Sequence, residues 1–161
     1  MNRKILITGL VLAVVLLATP YIVIVYAEPF TTVAGDIEFI DEFWLGPPIM
    51  AGNNRIRMRG IVEEWTGDIV GISSTEARWI IHNAPLSNPD AWIIAHAILT
   101  FSDVTVLGQT GDMTIKMEVV GTECHWTIIG GTGGLANVHG RGTASTSTSP
   151  FTYTGMIHFD P

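Results

Sequence analysis

A chain of 161 residues with a formal charge of −7 has the length of one domain built on one hydrophobic core. Its acidic balance argues against a nucleic-acid partner, since phosphates would repel it. With Cys124 as the only cysteine, no intrachain disulfide can form, so the core alone must hold the fold.

Met1-Asn2-Arg3-Lys4 is followed by an uncharged, mostly apolar run from Ile5 to Ala27, the pattern of an export signal. The run exceeds a usual signal core of about 7–15 residues and reaches the roughly 20 needed to cross a bilayer, so both a cleaved leader and a retained anchor helix fit it. Pro20 and the small-residue site Val25-Tyr26-Ala27 favour cleavage. Either way Arg3 and Lys4 stay on the cytoplasmic side, and residues 28–161 are expected outside, secreted or anchored at the outer face of the membrane. Membrane contact is expected only through residues 5–27, if uncleaved. Removing residues 1–27 takes two basic and no acidic residues, leaving 15 acidic against six basic side chains.

From Thr31 onward, runs of Val, Ile, Thr and aromatic residues alternate with Gly, Asn, Pro or Asp punctuation. Strands are predicted at Thr31–Ile40, Arg55–Trp65, Ile69–His82, Ala91–Val106, Asp112–Val119, Glu123–Ile129, Asn137–Ser147 and Phe151–Phe159. Asp112 to Val119 alternates polar and apolar throughout, as a half-buried strand should, and Gly108-Gln109-Thr110-Gly111 and Gly121-Thr122 flank it as hairpin connections. The expectation is all-β: an eight-stranded antiparallel barrel preceded by an N-terminal signal or anchor helix, with closure preferred because an open sheet leaves adhesive edges. Two longer connections stand out, Asp41 to Asn54 and Asn83 to Asp90. Trp44, beside Pro47-Pro48, is a candidate lid or a rim residue. Ala91 to Leu99 is apolar on both faces, so its outer side needs a cover, a second copy of the chain being the first choice.

The string Gly131-Thr132-Gly133-Gly134-Leu135-Ala136 satisfies a dinucleotide-binding pattern after a strand, but the period-two residues that follow cannot make the helix the pattern requires. No cofactor is therefore expected. Gly131, Gly133, Gly134, Gly140 and Gly142 are instead read as a structural turn. With the last strand's Tyr153-Thr154-Gly155, this string, G-T-G-x-L-x-x-x-x-G-x-G, resembles the allene-oxide-cyclase-like barrels: the plant cyclases, the dirigent proteins and small microbial proteins of the same fold. The likeness covers roughly residues 55–159 and implies an eight-stranded barrel with an apolar cavity. It carries over no functional residues.

For chemistry, Glu63 and Glu64 are adjacent on one strand, so only one can face inward. If Ile56, Met58, Gly60 and Val62 line the interior, Glu64 is the inward acid, with a raised pKa suited to proton transfer; otherwise it is a solvated rim residue. His96, between two alanines, is the second candidate acid or base. Arg55, Arg57 and Arg59 share a face, read as solvent-exposed or as an anion site. The five histidines show no metal-ligand spacing, and no metal is expected. Trp79, Trp92, Trp126 and Tyr153 are candidates to line a ligand pocket or fill the core. The leading expectation is a non-catalytic binder of a small apolar molecule or an envelope-surface module. An enzyme that steers an unsaturated substrate by confinement, as an isomerase or cyclase would, and a filament or surface-layer subunit are the alternatives.

Overall fold

Residues 29–147 and 149–161 are described by the structure, a computed structural model. Among the described residues nine strands follow in order: β1 (Thr31–Trp44), β2 (Ile49–Ala51), β3 (Asn54–Gly67), β4 (Ile69–His82), β5 (Trp92–Val106), β6 (Gln109–Val120), β7 (Glu123–Gly131), β8 (Val138–Ser145) and β9 (Phe151–Phe159). A single 3-10 turn, Gly133–Leu135, separates β7 from β8. Each strand pairs antiparallel with its neighbours, and β1 pairs with both β9 and β3, which closes an eight-stranded barrel. The short β2 adds to the free part of β3 beyond β1. The predicted leader and anchor, residues 1–27, lies outside the described residues. Among those described, no helix is long and apolar enough to cross a membrane.

Tight connections fix the pairing. Leu107 and Gly108 take φ of 50° and 84° between β5 and β6, the two-residue hairpin geometry whose twist matches the strands. The segment from Asp41, predicted as loop, is largely strand: β1 runs on to Trp44 past a bulge between Phe39 and Asp41, and β2 takes three more residues. Pro47-Pro48 confines the true loop to a few residues, because proline cannot donate to a ladder.

The interior has two halves. Toward the lower end Trp65, Phe101, Trp126 and Tyr153 are completely buried and touch edge to face or tilted, with ring centroids 4.9–6.4 Å apart. The glycine string has its physical cause here: Gly142 and Gly155 are cross-strand partners, and a Cβ on either would overlap the Trp126 ring. Tyr153 Oη accepts from Ile69 N at 2.8 Å and lies 3.1 Å from Thr66 O, tying β9 to the β3–β4 connection. Toward the upper end, where β3, β5, β7 and β9 begin, five of the inward residues are small: Ala77, Ala95, Ala97, Cys124 and Ala144. Large side chains fill one half, and the small ones among the inward residues leave space in the other.

Candidate functional site

The open half is a cavity of about 270 Å³. Its walls are Ile37, Ile61, Ile93, Met117, Val119 and Phe151 with the small residues just named, and Trp79 and Phe39 stand beside them. Gly121 and Thr146 belong to the upper connections, so the cavity reaches the end of the barrel that carries both long predicted connections.

Among the described residues Glu63 is the one acidic or basic side chain in this lining, and it is 4% exposed. Ser73 Oγ and Thr75 Oγ1, inward residues of the adjoining β4, each donate to its Oε2 at 3.0 Å. Burial pushes the Glu63 pKa up; those two hydroxyls, the nearby Trp65 indole and the Arg59 charge pull against the rise. Glu64 points out of the barrel, as the solvated reading had it, and the conditional inward assignment is corrected by one residue to Glu63. The cause lies in β3 itself. It carries apolar residues on both faces, with Met58 and Val62 outside and Ile61 and Trp65 inside, and a slip of one residue exchanges the faces.

The same slip turns the three arginines inward. Arg59 is buried and Arg55 and Arg57 are half-buried, on the concave side of the β3 extension above the cavity, which corrects the solvent-exposed reading. The Arg59 guanidinium carbon lies 4.7 Å from the Trp79 ring centroid, 5.7 Å from that of Trp44 and 5.8 Å from that of Phe39, and the group pairs with Glu42. Desolvation draws its pKa down, yet a guanidinium starts so high that it stays charged. Trp44 is half-exposed and lies with its ring 4.0 Å from the Arg57 guanidinium, which places the predicted lid beside the arginines.

The other predicted residues, Trp79 apart, lie elsewhere. His96 is on the outer face, 3.6 Å from Glu118, which Lys116 also contacts at 2.9 Å. Trp92 is outside too, stacked on His82 at 4.1 Å. Trp126 and Tyr153 belong to the filled half and are absent from the cavity wall. Trp79 is in that wall. Gly131 and Gly133 to Leu135 form the turn into β8; Gly133 takes φ of 59°, and a Cβ on Gly131 would strike the Leu135 carbonyl. Two histidines that sequence spacing left apart meet across β8 and β9: His139 and His158 stack at 5.2 Å and both face Asp160.

Comparison with solved structures adds the fold. The chain is similar to a protein of unknown function from the DUF3224 family of Shewanella oneidensis MR-1, with a TM-score of 0.65 at 17% identity, over 83% of this chain and 100% of that one. No protein-family model and no curated protein matches the chain. At this identity the likeness establishes the barrel and nothing of its chemistry.

Proposed function

We propose that the barrel binds a small, mainly apolar molecule in its upper cavity and does so without covalent chemistry. The observation that carries this reading is the pairing of an apolar wall with one buried carboxyl group. Such pockets gain affinity from the wall and orientation from a few polar atoms. At about 270 Å³ the space suits a ligand near the small end of the usual range. Both hydroxyl donors hold Glu63 Oε2, so Oε1 is the atom left to address a bound molecule. Titration with an environment-sensitive naphthyl probe tests the reading: saturable binding is expected, and a probe that stays in water would overturn it.

A second reading, isomerase- or cyclase-like chemistry, is favoured by the raised Glu63 pKa, which suits a group that gives and takes a proton. Here Glu63, and not Glu64 or His96, is the acid or base. If so, Glu63→Gln keeps probe binding and abolishes turnover of an unsaturated substrate. We also propose kinship with the allene-oxide-cyclase-like barrels, a reading that rests on the glycine string and agrees with the closed eight-stranded topology. We further propose export through residues 1–27, which the intact mass of the mature protein tests. Self-association through the outer face of β5 completes the reading. There Trp92 and Ile98, with Val120 of β6, remain exposed, and sedimentation of the Ile98→Glu variant tests it.

A further inference from the structure

Arg55, Arg57 and Arg59 occupy one concave face above the cavity, and their charges are not balanced. Glu42 partners Arg59, whereas neither Arg55 nor Arg57 has a carboxylate partner among the described residues. The Nε atoms of all three are buried without a hydrogen-bond partner. A buried N–H left unpaired costs free energy, and two half-buried guanidiniums in a row repel each other. Aromatic faces offset part of this: Arg57 lies on Trp44, and Arg59 sits among Trp44, Trp79 and Phe39. They supply no acceptor for the planar N–H forks, which match an oxyanion in geometry and charge. Phe39 and Trp79 also line the cavity, so the arginine face and the apolar space adjoin.

From this juxtaposition we infer that the ligand is amphipathic, its apolar body in the cavity and an anionic oxygen group, carboxylate or phosphate, on Arg57 and Arg55 at the mouth. The inference rests on the cavity-binding reading and gives the ligand its polar end. Trp44, between Arg57 and Arg59, then covers the head group from the side. Glu63 lies further down, toward the bound body.

Four probes sharing one apolar body test it: naphthoate, naphthylmethyl phosphate, naphthylmethanol and naphthylmethylammonium, titrated by fluorescence at low and high salt. At least one anion is expected to bind about tenfold or more tightly than the alcohol, with an advantage that shrinks as salt rises. That advantage should collapse in Arg55→Met/Arg57→Met and return in part in Arg55→Lys/Arg57→Lys. Whether naphthoate or the phosphate gains more decides between a carboxylate and a phosphate head. Equal binding of anions and alcohol overturns the inference and leaves the cavity reading intact. Tightest binding of the ammonium probe overturns it in favour of Glu63 as the charge partner. Failure of all four to bind overturns both readings.

Discussion

Burial raises the Glu63 pKa, and the Ser73 and Thr75 hydroxyls and Arg59 oppose that rise without cancelling it. The folded chain therefore holds this proton to higher pH than the unfolded chain does. Its contribution to stability is complete below the ordinary glutamate range and is lost as pH rises through the elevated value. Glu63→Gln removes the titration, so from about pH 4 upward the melting temperature of the wild type should fall relative to the variant. Parallel melting curves across that interval would mean that Glu63 titrates normally. Tyr153 makes a second residue-scale case. Its hydroxyl is pushed up to about 12 by burial and stays protonated, holding the Ile69 N–H inside the barrel. Tyr153→Phe strands that donor and should cost about 1–3 kcal/mol in urea denaturation. A loss near zero would show that another acceptor takes over.

Among the elements, β8 and β9 are shaped by one side chain of β7. Trp126 lies against Gly142 and Gly155 and donates its Nε1 proton to Thr143 O at 3.2 Å. Gly155→Ala puts a methyl into the indole ring and toward the Arg141 carbonyl, and forced packing of this kind costs about 1–3 kcal/mol. Chemical denaturation monitored by tryptophan fluorescence checks it; wild-type stability would mean that the indole slides aside. All eight barrel strands were legible because turn chemistry and alternation agree along the sequence, as in Asp112 to Val119, which falls inside β6. β2 was not, being three residues long and preceded by Pro47-Pro48. The site was half legible. A lone strand with apolar residues on both faces does not disclose which face is inside, and Ser73 and Thr75, which settle the matter for Glu63, belong to the next strand. The alanines were invisible as a group for the same reason: Ala77 meets Ala97, and Cys124 meets Ala144, only through strand pairing.

For the whole molecule, the division into a filled and an open half makes binding and stability separable. Enlarging a residue in a packed core normally costs about 1–3 kcal/mol, but Ala97 faces empty space. Ala97→Phe is therefore expected to abolish probe binding while the urea midpoint stays close to that of the wild type. A large drop in that midpoint would mean that the cavity is held shut around Ala97. The ring of strands also imposes an order of events on folding. β1 lies between β9 and β3, so the hairpins from β3 to β8 can assemble from neighbours in sequence, while β1 keeps one edge unpaired until β9 docks. Joining the first strand to the last is a distant contact and a slow one. A chain truncated before Phe151 would display that bare edge to its neighbours, and chaperones that shield edges would find their client in this form.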